Sequence, residues 1–196
     1  MQKRDEMTRS IVKMIGAAVS FAFMATFVKL AARTIPSSEI VFFRSLLGSL
    51  MIALLMWKEG ASWIGKNQKI LILRGLFGFA ALSMHFYAIS KLNLGTAVML
   101  NYTAPIFVVL LARTLLGEKT TWLVNAAILF TFLGLYLLAA PQFEAKPVPI
   151  LIGILSGICA AAAYVSIRSS GEEESPYLII FYFTAISTIG TLPMLQ

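Results

Sequence analysis

The sequence predicts an all-α fold, a polytopic transmembrane helical bundle, and three observations predict it. Hydrophobic residues make up 59% of the 196 and charged residues only 13%, with a mean hydropathy of +0.84. So little polar surface cannot keep a chain of this size in water. Seven apolar stretches, at 10–32, 40–57, 70–90, 94–116, 122–140, 148–167 and 177–195, each approach the roughly 20 residues that a helix needs to cross a hydrocarbon core. None shows the alternating polarity of a transmembrane β-strand.

The first span follows Lys3, Arg4 and Arg9, as a signal peptide would. Its length and the lack of a small-residue cleavage site favour a retained helix. Between the second and third spans, the link 58–69 is basic, contains Gly60 and Gly65, and is long enough to lie along the headgroups. Only residues 91–93 separate the third span from the fourth, which forces an antiparallel hairpin. The fourth span carries Pro105, so a kink is expected where the Asn101 carbonyl loses its helical partner. Cys159, the single cysteine, lies among alanines in the sixth span, which excludes an intrachain disulfide and favours packing over thiol chemistry. No polar stretch is long enough for a soluble domain.

A net charge of +7 is better read as membrane topology than as affinity for nucleic acid. With a cytoplasmic amino terminus, eleven of the sixteen basic residues fall inside and only Lys29, Arg33, Arg44, Lys91 and Lys146 fall outside. The expected location is a bacterial inner (plasma) membrane. Seven crossings then leave Gln196 outside.

Residues 16–44 align without a gap to 153–181: Gly16 meets Gly153, Ala25 meets Ala162, Phe27 and Val28 meet Tyr164 and Val165, and Ser38 meets Ser175. An offset of five spans turns the second copy upside down, which makes an inverted repeat of the kind found in alternating-access carriers. The expected domains are a five-helix unit at 1–143 and the beginning of a second, inverted unit at 144–196.

The block FYAISKLNLGTAVMLNYTAPIFVVLLARTLLGEK, with the glycine-bearing fifth span after it, resembles the EamA-like branch of the drug/metabolite transporter superfamily. So do SSEIVFFR before the second span and GILSGICAAAAYVSIRS in the sixth. That resemblance implies a ten-helix fold of two five-helix repeats around a central cavity, with its third, fourth, eighth and ninth helices supplying much of the lining. This chain departs from the plan by ending after seven spans, so it is expected to be a fragment, or else to complete its cavity with another chain such as a second copy. EIVFFR and ILRGLFGF also resemble S-adenosylmethionine carriers of the same superfamily.

Polar residues inside the spans are the candidates for solute binding, because lipid tolerates them only where they face protein or water. Arg74, Gly78, Ala81 and His85 follow helical spacing and share one face of the third span. That face suits a cavity wall, or Arg74 snorkels to inner headgroups and His85 is satisfied by a neighbouring helix. Counted from the hairpin turn, His85 and Asn101 both lie about 10 to 14 Å deep, level with each other. Asn101, its freed carbonyl, Tyr102 and Thr103 offer groups to a polar solute, or Pro105 is a packing kink alone. Arg44, one turn above Gly48, and Lys29 approach the outer mouth, where they attract an anionic or zwitterionic solute or contact lipid phosphates and Glu39. In the sixth span Gly153, Gly157 and Ala160 read as helix packing, and Tyr164 offers a hydroxyl. Glu172, Glu173 and Glu174 read as a solvated cluster. None of the nine carboxylates lies at the centre of a span, so no proton-coupling acid of the buried type is expected.

The expected function is a permease that moves a small polar metabolite or drug-like solute by alternating access, with S-adenosylmethionine as the alternative cargo. No cofactor and no metal are called for, and the expected partners are the solute and the bilayer, not nucleic acid. An enzyme is disfavoured: a single histidine, no zinc-ligand spacing and no G-x-S-x-G leave nothing to catalyse with. A seven-helix receptor fits the number of spans but not the charge bias.

Overall fold

The computed structural model describes the backbone at residues 2–143, 147–169 and 174–195, and the side chains at 7–134, 136–137, 147–169 and 174–195. The described residues form eight α-helices and no strand: α1 (Gln2–Ala31), α2 (Ser37–Glu59), α3 (Gln68–Lys91), α4 (Leu94–Asn101), α5 (Ala104–Leu115), α6 (Trp122–Phe143), α7 (Pro147–Arg168) and α8 (Pro176–Thr191), then a 3-10 turn at Leu192–Met194. Six stretches are long and apolar enough to cross a membrane, α4 and α5 together making one of them at Leu94–Leu115. In α6 the apolar run among the described residues, Trp122–Gly134, is shorter.

Local chemistry accounts for most helix ends. Pro36 precedes α2 and Pro176 opens α8, where a missing amide hydrogen costs nothing. Gly60 ends α2 in the left-handed region, at φ 64°, and returns its amide to Met56 and Trp57. Gly117 takes the same left-handed conformation in the L-G-E-K turn, at φ 68°, and the next amide, that of Glu118, bonds back to Ala112. Asn67 starts α3 by accepting the Ile70 amide on its side chain at 3.3 Å. The fourth span is not one kinked rod but two helices, because Pro105 cannot give the Asn101 carbonyl an amide hydrogen and α5 restarts at Ala104.

In the bundle, α3 is central, running along α7 and touching α2, α4 and α8, while α4 and α5 also pack on α7. Apolar burial does little to join helices in lipid, so close backbone approach must do it. Glycines mark those approaches. A methyl group on Gly153 would stand 2.7 Å from Leu100, and one on Gly157 would stand 2.5 Å from the Thr103 hydroxyl and 3.2 Å from the Leu100 carbonyl. Gly78 closes on Phe183 of α8 in the same way. In α1, by contrast, only Ala25 and Val28 are buried among the described residues, and its side chains from Met7 to Phe23 are exposed.

Polar contacts collect at the two ends. At one, the Tyr177 hydroxyl donates to Glu59 at 3.1 Å, the Asn67 amide donates to Glu174 at 2.9 Å, and Arg168 pairs with Glu118 at 2.9 Å. The links 60–67 and 116–121, with Ser169, Glu174 and Ser175, therefore share one end of the bundle, together with Trp57, Trp63 and Trp122. Glu174 is not part of a solvated cluster; it caps the start of α3, because the first amides of that helix need an acceptor. Glu172, Glu173 and Lys146 lie outside the described residues.

At the other end, Lys29 departs from expectation. Its ammonium donates to the carbonyls of Ile89 at 2.8 Å and Leu92 at 2.6 Å, with Ser90 at 3.5 Å. The last carbonyls of α3 are unpaired by helix geometry and carry partial negative charge, so they hold this cation.

Replacing Lys29 with Met is expected to destabilise the protein by about 1.5–3 kcal/mol, the worth of charge-assisted hydrogen bonds, read as a lower melting temperature in detergent micelles. Gly157→Val is expected to cost about 1–3 kcal/mol through overpacking, and Gly153→Ala less, since Leu100 presents the far end of a flexible side chain. Unchanged melting of Gly157→Val would refute the close α4–α7 contact.

Candidate functional site

Between α1, α3, α4 and α7 lies a cavity of about 680 Å³. Its polar lining consists of His85 from α3, Asn101 and Tyr102 at the end of α4, Tyr164 from α7 and Thr26 from α1. The apolar remainder includes Phe21, Met24, Val98 and Met99. The volume lies within the range of small-molecule pockets.

The break between α4 and α5 puts two neighbouring residues on one wall. Asn101 ends α4, Tyr102 lies in the turn, and both line the cavity. The Thr103 hydroxyl and amide both donate to the Leu100 carbonyl, at 2.6 and 3.3 Å, and close a tight turn where the regular ladder stops. Asn101 donates from Nδ2 to the Ser156 hydroxyl at 3.4 Å, a long bond that a better partner would outcompete. Ser156 is fully buried and donates in turn to the Gly153 carbonyl at 2.6 Å. His85 lines the cavity and is half-buried, while its Nδ1 is buried away from the open space and has no hydrogen-bond partner among the described residues.

The structure brings His85, Asn101, Tyr102 and Tyr164 together on this cavity. It does not bring Arg44, Arg74 or Gly78 onto the wall. The stripe from Arg74 to His85 is about 16 Å long at the helical rise, so its two ends meet different neighbours. At the far end from His85, α7 and α8 cover it. The Arg74 guanidinium lies 5.7 Å from the Tyr164 ring centre and 5.3 Å from that of Phe183, and its Nε is buried without a hydrogen bond. Each ring face is worth about 0.5–2 kcal/mol to the cation; the cost of about 3 kcal/mol for an arginine at mid-membrane is an upper bound for Arg74, which lies nearer one end of α3. Two rings roughly hold the charge, but they accept none of its directional hydrogen bonds. Arg44 lies over Phe86, the residue after His85, at 5.7 Å.

Sequence reasoning missed the contribution of α1. Its signal was present, since Ala18, Phe21 or Ala22, and Ala25 recur at helical spacing and Phe27 aligns with Tyr164. Ser156 gave no signal, because its role depends on where Asn101 falls across the interface.

The wall offers an imidazole, an amide and two phenol hydroxyls but no carboxylate. Among the described residues no three His, Cys, Asp or Glu side chains gather into a metal-binding group. Such a wall can hold and orient a polar solute, and it pairs no nucleophile with a base.

Comparison with known proteins agrees with this architecture. Residues 8–140 match the model of the EamA-like transporter family. The pseudopaline exporter of Pseudomonas aeruginosa is 34% identical over 97% of the chain and 68% of its own length. An uncharacterized transporter of Helicobacter pylori is 33% identical over 91% of the chain and 61% of its own length. An S-adenosylmethionine uptake transporter of Rickettsia felis is 24% identical over 81% of the chain and 54% of its own length. No solved structure matches the chain. With its apolar helices, its polar-lined cavity and a family match over most of its length, the chain is an integral membrane protein that belongs to the EamA-like transporter family.

Proposed function

We propose that the chain provides the solute site and most of the helical frame of a permease that moves a small polar metabolite across the cytoplasmic membrane by alternating access. The observation that carries this reading is the cavity itself, with the unpartnered His85 imidazole and the weakly held Asn101 amide on one wall. Polar groups set in an otherwise apolar cavity lining favour a guest with complementary hydrogen-bonding groups. Tyr102 and Tyr164 flank the same space, each 59% exposed, and in this proposal further helices, from a second copy or from additional protein, cover them.

Residues 1–143 form the first repeat and 144–196 begin the inverted second. The polar contacts that join Glu59, Asn67 and Glu118 to Tyr177, Glu174 and Arg168 span the two units at one end, where motion between repeats would be felt first. That end faces the cytoplasm with the amino terminus. Lys58, Lys66, Lys69, Lys119 and Arg168 cluster there, and three tryptophans mark the level of the headgroups.

S-adenosylmethionine is the second reading for the solute, supported by the local EIVFFR and ILRGLFGF similarity and by the Rickettsia felis relative named for its uptake. The relative named as a pseudopaline exporter supports the general reading of a transporter.

In membrane vesicles, His85→Ala and Asn101→Ala are expected to lower kcat/KM, for the metabolite that accumulates in cells lacking the protein, by roughly 5- to 30-fold, the effect of 1–2 kcal/mol. Membrane abundance should stay at the wild-type level. Wild-type transport by both variants would remove the cavity from the solute path.

A further inference from the structure

We propose that the transported solute carries a carboxylate and that Arg74 receives it, with the Tyr164 ring as a movable cover between the guanidinium and the cavity; this rests on the cavity being the solute site. Arg74 lies six residues into α3, about 9 Å from the helix start, in a stretch that contains no Asp or Glu. Among the described residues no carboxylate pairs with it, and its Nε is buried without a hydrogen bond. Its neighbours are instead the rings of Tyr164 and Phe183, at 5.7 and 5.3 Å. A ring face attracts the charge but uses none of the five N–H donors. The fork is left available, and a carboxylate is the planar acceptor that matches it, two oxygens to two N–H groups.

Tyr164 is 59% exposed and lines the cavity, so one ring separates the cation from the solute space. Rotation about its two side-chain torsions uncovers Arg74 without any backbone change. Tyr164 lies eight residues along α7 from Ser156, the partner of Asn101. At the helical rise that is about 12 Å, so a solute with its carboxylate at Arg74 would reach Asn101 and His85 with a polar group at its other end. Arg44, beside Phe86 and likewise without a carboxylate partner among the described residues, adds a second positive charge behind the same wall. With no acid in the lining, the potential in the cavity has one sign. Solutes whose only charge is an ammonium are repelled.

The test uses the protein in lipid nanodiscs, with citrate, L-histidine and L-methionine each set against its methyl ester in a thermal-shift titration. At least one acid is expected to raise the melting temperature while its ester does not. Arg74→Gln is expected to weaken binding of that acid at least tenfold and Arg74→Lys less, because lysine keeps the charge but not the fork. If Arg74→Gln fails to fold, Arg74→Lys decides, and acid binding at the wild-type level in that variant overturns the proposal. Equal stabilisation by acids and esters, stabilisation by none of the acids, or wild-type acid binding in Arg74→Gln also overturns it. A transported solute that needs His85 and Asn101 but has no carboxylate overturns this inference alone and leaves the cavity as the solute site.

Discussion

Every backbone amide and carbonyl immersed in hydrocarbon must find its partner within the protein, and the rest of this structure depends on that constraint. It makes the crossings helical, it confines most capping chemistry to the bundle ends, and it makes the one interruption at membrane depth informative. Between Asn101 and Ala104 the helical ladder is broken by Pro105. The gap persists because Thr103 bonds back to Leu100 and because Gly157 lets α7 press directly against it. Irregular backbone at this depth is tolerated only where protein or a polar cavity covers it, and the cavity lies on its other flank.

The same constraint separates the charged residues into those with partners and those without. Lys29, Glu174 and Glu118 each meet a group left over by helix geometry or an opposite charge at an end of the bundle. Arg44 and Arg74 lie inside the spans and meet aromatic rings instead. The Arg168–Glu118 pair is largely exposed and contributes little to stability, under about 1 kcal/mol by the usual worth of such pairs. Its importance is that it joins the end of α7 to the turn between α5 and α6.

The helices were legible in the sequence because their signal, an apolar run of membrane length, is local. So was the hairpin at 91–93, and so was Pro105 as a disturbance, although the complete break into α4 and α5 also depends on packing against Gly157. That His85 and Asn101 share a cavity followed from counting residues on either side of one turn. What could not be read was anything that depends on a third helix. Lys29 lies 60 residues from the carbonyl it caps, Glu174 lies 107 from the amide it accepts, and Ser156 meets Asn101 only because α7 packs on α4. The stripe from Arg74 to His85 was placed on one face correctly in helical terms, yet α7 and α8 cover half of it.

The attachment of α1 has a mechanical consequence. Its buried side chains, Ala25 and Val28, and its bonded ammonium, Lys29, all lie in the last two turns, while the preceding turns touch little. A rod clamped at one tip swings about that tip, and displacement grows with distance from the clamp. Ala18 and Phe21 therefore travel further than Thr26 for the same tilt, and the cavity widens or narrows as a wedge whose apex is at Lys29.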